Sequence, residues 1–132
     1  MESRLLNAAG FLAVGVGAVL GAWARWLLGL WLNPMHPWLP LGTLAANLFG
    51  GLLVGFAVAA FSDHPLLDAQ WRLFLVTGFL GALTTFSTFS SEGVALLMAG
   101  RIGAAATHAA LHLAGSLIAT FAGIVAWRSL AG

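Results

Sequence analysis

The sequence predicts an all-α integral membrane protein with four transmembrane helices. Of its 132 residues, 61% are hydrophobic and 7% are charged, and the mean hydropathy is +0.98. An average soluble domain has roughly 25% charged residues. Four apolar stretches each reach or exceed the ~20 residues with which a helix crosses a bilayer. They cover residues 9–32, 41–61, 73–98 and 102–127.

The connections between these stretches are too short to fold independently, so residues 1–132 are expected to form a single transmembrane domain. Five Arg and no Lys leave no basic patch, so no nucleic-acid partner is expected. Without cysteine there is no disulfide or thiol chemistry. Four helices bury little internal surface, which favours a homo-oligomer.

The first stretch could be a secretory signal, because Ala22-Trp23-Ala24 resembles a cleavage site. However, the apolar run is longer than a usual signal core and continues past Arg25, so we expect a membrane helix. An Arg at the centre of such a helix costs about 2.5–3.5 kcal/mol. We therefore expect Arg25 to lie near an interface or to meet a partner.

The second stretch carries a polar stripe at helical spacing. Thr43, Asn47 and Gly51 follow one another at i, i+4 and i+8. Glycines at the same spacing predict close helix packing. The two pairs are Gly17 with Gly21, and Gly51 with Gly55.

The third stretch contains the segment GALTTFSTFSSEG at residues 81–93, which is polar where the surrounding chain is expected to span the membrane. Glycine and β-branched residues weaken a helix near Thr84 and Thr85. We expect a discontinuous helix here, with a simple kink as the alternative. Irregular backbone at membrane depth occurs only where it is buried in protein or lines a wet cavity, and its freed carbonyls often bind ions.

Two aromatic residues of this segment allow two interpretations. Phe86 and Phe89 at i, i+3 ordinarily indicate packing, but Ser87, Thr88 and Ser90 interleave them with hydroxyl donors. Aromatic rings have positive edges. A path lined by ring edges, hydroxyls and an amide would suit a small anion that must also be released.

The fourth stretch repeats polar residues at i, i+4 spacing: His108, His112, Ser116 and Thr120. A hydrogen-bonded His pair and a water-lined vestibule both remain open. Metal catalysis is not expected, because no HExxH motif is present and Glu92 is the only intramembrane carboxylate. Hydrolysis is not expected either, because no GxSxG motif occurs.

Charge gives a weak signal for orientation. Arg4, Arg72 and Arg128 are expected on the side of both termini, whereas Arg101, with Arg25 if it snorkels, lies on the other. Such a small bias under the positive-inside rule predicts that the chain can insert both ways and form an antiparallel, dual-topology homodimer.

The motifs GAWARW, GTLAANLFGG and GALTTFSTFSSEG, in this order on a four-helix chain, resemble the Fluc-type (CrcB) bacterial fluoride channels. The resemblance covers essentially the whole chain. It implies a dual-topology homodimer in the bacterial inner membrane, with membrane lipid around it and two pores for fluoride. It also implies passive export of toxic cytoplasmic fluoride and a structural sodium ion on the dimer axis.

The resemblance also implies roles for particular residues. Asn47 and Thr43 match pore positions of the second helix, and Phe86 and Phe89 match two phenylalanines whose ring edges face the ion. The family positions that provide pore hydroxyls correspond to Ser87, Thr88 and Ser116 in this chain. The family positions whose backbone carbonyls bind sodium correspond to Gly81 and Thr84. Motif positions near the ends of the pore correspond to Arg25 and Glu92.

The chain departs from the family pattern at one place. Many members have a Tyr on the fourth helix one to two turns before the pore Ser, whereas this chain has no Tyr and carries His108 and His112 there. Histidine can donate a hydrogen bond as Tyr does, but it also titrates. These two residues are expected to support one end of the pore.

Two other functions compete with the channel. A proton-coupled small multidrug exporter is also a short four-helix chain, but it needs a buried carboxylate in its first helix, and here that helix has Arg25 and no acid. An accessory assembly subunit would leave the Thr, Ser and Phe cluster without a purpose.

Overall fold

The first helix of the computed structural model, which describes residues 6–132, is α1, Ala8–Leu32. Its first turn is capped by Asn7, whose side-chain oxygen accepts a hydrogen bond from the Gly10 N–H at 2.8 Å. A short 3₁₀ turn, Asn33–Met35, follows α1. Arg4, one of the arginines used to judge orientation, lies outside the described residues.

The second helix, α2, covers Leu41–Asp63. Pro40 precedes it and contributes no side-chain cap. Instead Asn33 Oδ1 accepts hydrogen bonds from the N–H groups of Gly42 at 2.8 Å and Thr43 at 3.2 Å. The start of α2 is therefore fastened to the end of α1.

The third span, Ala69–Met98, is built from several pieces. A single α-helical turn, α3 (Ala69–Arg72), leads into a π-helical segment, Leu73–Leu80, and a further turn, α4 (Gly81–Leu83). Thr84 and Thr85 then have extended backbone, with φ/ψ of −82/153° and −149/124°. Helix α5, Phe86–Met98, begins after them, with the Thr85 side chain accepting from the Thr88 N–H at 3.1 Å.

A tight turn joins α5 to the last helix, α6, which covers Ile102–Ala131. Gly100 has φ of 72°, in the left-handed region that favours glycine. The N–H of Gly100 bonds the Leu97 carbonyl and that of Arg101 bonds the Leu96 carbonyl, both at 2.9 Å. This is the Schellman pattern that ends a helix.

Glycine allows the helices to approach closely, as the sequence predicts. A Cβ added at Gly17 or Gly21 would overlap backbone atoms of the third span, and one added at Gly55 would overlap the Thr120 carbonyl of α6. At Gly51 an added Cβ would lie 3.1 Å from the Ser116 carbonyl oxygen. Helix α1 therefore packs against the π-helical segment, and α2 packs against α6.

The core is small, and most large apolar side chains point outward. Leu80 and Leu83 are each 2% exposed and pack around Ala46 and Ala57. The exposed apolar surface is what lipid or another subunit would cover. The prediction of four helices long and apolar enough to cross a membrane is confirmed, since the four spans are Ala8–Met35, Leu41–Asp63, Ala69–Met98 and Ile102–Ala131.

Candidate functional site

The extended backbone between α4 and α5 is held by one side chain of α2. The Thr85 N–H donates to Asn47 Oδ1 at 2.7 Å, and Asn47 Nδ2 donates to the Thr85 carbonyl at 3.0 Å. Both peptide groups of Thr85 are thus satisfied by a single amide. A buried peptide group without a partner is costly, so this pair stabilises the irregular backbone.

The same amide bonds to α6. Because Oδ1 accepts from Thr85, the NH₂ group of Asn47 faces His112, and Nδ2 lies 2.9 Å from His112 Nδ1. His112 Nδ1 must then accept, which places the proton of a neutral ring on Nε2. Asn47 therefore joins α2, the third span and α6, and both of its N–H groups already have acceptors within the chain.

The extended residues also redirect donors that a continuous helix would give to its own carbonyls. In a continuous helix the Thr85 N–H would bond the Gly81 carbonyl and the Thr88 N–H would bond the Thr84 carbonyl. These N–H groups go instead to Asn47 Oδ1 and to Thr85 Oγ1. The carbonyls of Gly81 and Thr84 thereby lose their helical donors.

Arg25 reaches this region from α1. Its Nε donates to the Ala82 carbonyl at 3.0 Å. The sequence predicts that Arg25 either lies near an interface or meets a partner, and the structure gives it a partner. The guanidinium satisfies a carbonyl that would otherwise lack a donor at the end of α4.

An open groove of about 390 Å³ lies beside the extended residues. We call it the central groove. The polar and aromatic residues that line it come from all three packed elements: Asn47, Thr84, Thr85, Phe86, Phe89, His112 and Ser116. The remaining lining residues are Ala109, Leu113 and Leu117 of α6.

The two phenylalanines differ in their packing. Phe86 is 79% exposed, whereas the Phe89 ring is partly buried against two histidine rings. Phe89 stacks on His108 with ring centroids 5.2 Å apart and an interplanar angle of 23°, and its centroid lies 4.8 Å from that of His112. Phe86 and Phe89 contact each other with centroids 5.5 Å apart.

The predicted carboxylate, Glu92 of α5, contacts one side chain of α2 and one of α6 and does not line the central groove. Thr43 Oγ1 donates to Glu92 Oε1 at 2.6 Å. Glu92 Oε2 lies 3.7 Å from His108 Nε2, which is also 3.2 Å from the Phe89 carbonyl oxygen. The His108 side chain is fully buried, and Thr43 is 4% exposed.

The remaining predicted residues do not share the central groove. Thr43 and Thr88 line a second pocket of about 400 Å³ together with Arg25 and Asn33. Ser87 is exposed, and its hydroxyl lies 3.3 Å from Thr85 Oγ1. Some of the predicted polar residues thus line the central groove and others line this second pocket, whereas Ser87, Glu92 and His108 line neither.

Two residues that organise the site were given no role in it by the sequence analysis, which named Thr85 only as a point where the helix weakens. Thr85 has both peptide groups held by Asn47, and Asn33 caps α2 from outside it. Threonine three residues before Thr88 is a weak sign of a helix start, and it could have indicated Thr85 as a cap. No pattern in the sequence indicates Asn33 as the capping partner.

The amino-acid sequence was compared with known protein families. Residues 12–124 match the family described as CrcB-like protein, Camphor Resistance (CrcB).

Similar curated proteins carry one name. A protein of Cupriavidus metallidurans is 59% identical over 122 residues, which are 92% of this chain and 97% of that protein. A protein of Chromohalobacter salexigens is 58% identical over 118 residues, 89% of each chain. One of Ralstonia nicotianae is 54% identical over 125 residues, 95% of this chain and 99% of its own. Each of the three is named fluoride-specific ion channel FluC.

Proposed function

The chain belongs to the CrcB family, and we propose that it is a fluoride-specific ion channel and not an enzyme. Its relatives with more than half of their residues identical are named as such channels. The chain is a multi-pass membrane protein with four suitable helices. The observation that carries the proposal is the central groove, where an Asn amide, hydroxyls and two phenyl rings meet beside irregular backbone.

The chemistry of the central groove suits a small anion. Its lining supplies neutral groups and contains no Lys or Arg, so no fixed positive charge would hold the ion too tightly for release. Positive edges of Phe86 and Phe89 would attract an anion weakly. Ser116 and Thr85 offer hydroxyl donors, and Ser87 and Thr88 would extend this polar path beyond the groove.

Asn47 is also proposed as a pore residue, although its amide is already engaged in hydrogen bonds. Both of its N–H groups already donate within the chain, so an anion at this amide would share those hydrogen bonds. Thr43, Arg25, Glu92, His108 and His112 would support the ends of the path. This arrangement stabilises the anion with donors that the fold has already oriented.

We propose that two antiparallel copies complete the pore. One chain leaves the central groove open along its side, so a single copy would not enclose an ion. The weak Arg asymmetry supports insertion in both orientations. Each copy would then contribute to two pores, through which fluoride leaves the cytoplasm passively across the bacterial inner membrane.

We also propose that the third span functions as a discontinuous helix that holds a structural sodium ion. The carbonyls of Gly81 and Thr84 lose their helical donors because those N–H groups bond elsewhere. Carbonyl oxygens are suitable ligands for a hard cation. The two carbonyls would meet their counterparts from the second copy on the dimer axis.

The decisive experiment is ion efflux from liposomes that contain the purified protein. Fluoride should leave rapidly, chloride should be retained, and protein-free liposomes should retain both. Equal release of both ions, or no fluoride release from folded protein, would overturn the proposal. The alternative of a proton-coupled multidrug exporter gains no support, because residues 8–32 contain no acidic side chain.

A further inference from the structure

Three metal-ligating side chains meet between α5 and α6. One ligand atom each from Glu92, His108 and His112 lies within 4.8 Å of the other two. His108 is fully buried, His112 is 3% exposed, and the Glu92 side chain is 16% exposed. Two imidazoles and a carboxylate thus share one interior position.

Each of the three side chains has a buried polar atom for which the described residues supply no hydrogen-bond partner. These atoms are Glu92 Oε2, His108 Nδ1 and His112 Nε2. Buried polar atoms normally have partners, and a buried carboxylate oxygen is costly unless it is paired with positive charge or coordinates a metal. A cation at this position would satisfy the carboxylate oxygen and one nitrogen of each ring together.

We propose that Glu92, His108 and His112 form a binding site for a divalent transition-metal ion. Two His and one carboxylate are an established donor set for Zn²⁺, and imidazole also suits Cu²⁺ and Ni²⁺. Glu92 Oε2 lies 3.7 Å from His108 Nε2. This oxygen and one ring nitrogen of His108 provide the first two ligands. His112 provides the third through Nε2, the ring nitrogen for which the described residues supply no partner.

Neighbouring residues hold two of the proposed ligands in position. Thr43 Oγ1 holds the other Glu92 oxygen at 2.6 Å, and the Phe89 ring stacks on His108. Such contacts orient ligands and strengthen metal binding. A pocket of about 280 Å³ lies next to the site on the Glu92 side, where Glu92, Pro37 and Pro40 line it together with Arg101.

Metal binding would be coupled to Asn47, an effect that rests on the proposed function. A His that binds a metal through Nε2 carries its proton on Nδ1. That proton would face the N–H of Asn47, so the present Asn47–His112 hydrogen bond and metal binding exclude each other. Zn²⁺ should therefore lower fluoride flux.

The site itself is tested without any flux measurement. Co²⁺ is titrated into the purified full-length protein in detergent, after removal of any affinity tag. We expect visible ligand-field bands that saturate at one ion per protomer and disappear when Zn²⁺ is added. Absorption no different from that of free Co²⁺ would overturn the site.

Variants separate ligation from general effects of folding. His108→Gln should weaken binding by at least about 100-fold, since even outer-shell changes cost 10–100-fold. His108→Cys should still bind Co²⁺ and add a thiolate charge-transfer band, which a structural role would not produce. The exposed His64 provides the control, and His64→Gln should bind as the unmodified protein does. Equal binding by His108→Gln would overturn the assignment.

A flux arm tests the coupling separately. The fluoride flux of each protein with Zn²⁺ is compared with its own flux without Zn²⁺. Inhibition of the unmodified protein and of His64→Gln, but not of His108→Gln, is expected. Co²⁺ binding without inhibition would overturn the coupling and leave the site standing, whereas absence of any fluoride flux would count against the proposed function alone.

Discussion

Asn47 holds both peptide groups of Thr85, accepting from its N–H at 2.7 Å and donating to its carbonyl at 3.0 Å. The two residues are 38 positions apart in the chain. Through this pair, α2 fixes the point at which the third span leaves helical geometry. Backbone that is irregular at membrane depth must be satisfied by neighbouring protein, and for Thr85 one amide does so.

Asn47→Asp should abolish fluoride flux and lower stability. A carboxylate would repel the anion, and it would have no N–H to donate to the Thr85 carbonyl or His112 Nδ1. Leaving such groups without a partner costs about 1–3 kcal/mol. Liposome efflux and thermal unfolding measure the two effects. Normal flux in Asn47→Asp would remove Asn47 from the pore.

Phe86→Ile and Phe89→Ile should both reduce fluoride flux steeply, because each removes a positive ring edge from the central groove. Their stabilities should differ. Phe86 is 79% exposed, so its replacement should cost little, whereas Phe89 would lose ring contacts worth about 0.5–1.5 kcal/mol. Phe121→Ile, at an exposed position of α6, should leave flux unchanged. Unaltered flux in both groove variants would show that these rings only pack.

Gly21→Ala should destabilise the protein by about 1–3 kcal/mol, because its methyl group would overlap the Phe79 carbonyl of the third span and backbone cannot easily move aside. Gly15, on the same helix, has nothing within 4 Å of an added Cβ. Gly15→Ala is therefore the matched control and should be neutral or slightly stabilising. Equal thermal midpoints for the two variants would contradict the close approach.

Sodium should stabilise the folded protein without being transported. An ion that binds only the folded state at 100 times its Kd contributes about 2.7 kcal/mol. Thermal unfolding is measured in sodium and in a large organic cation at equal ionic strength, and radioactive sodium uptake into liposomes is measured in parallel. Identical unfolding curves in the two salts would count against a site at the Gly81 and Thr84 carbonyls.

A dual-topology protein should expose each of its ends on both sides of the membrane. The chain contains no cysteine, so Ser129→Cys near the C-terminus and Met98→Cys near the opposite end each create a unique label. An impermeant thiol reagent applied to intact cells should label about half of each variant if the two orientations are equally populated. Full labelling of one variant with protection of the other would exclude dual topology.

The sequence by itself determined the four spans and much of their packing. Predicted stretches at residues 41–61 and 102–127 lie within Leu41–Asp63 and Ile102–Ala131. These properties were accessible because hydropathy and length are local, and because a bilayer requires long helices with internally satisfied backbone. The glycine pairs were informative for the same reason. A glycine and its spacing can be read locally, so they predict close packing even when the neighbouring helix is not known.

Only the tertiary structure decided how the polar residues are grouped. It placed Asn47, Phe89, His112 and Ser116 at one groove and directed Thr43 toward Glu92. It also paired Arg25 with the Ala82 carbonyl, 57 residues away. A polar residue inside a membrane helix signals that it needs a partner, but the choice of partner depends on the rotation and depth at which helices pack. Those are set by contacts among all four spans, and no stretch of the sequence contains them alone.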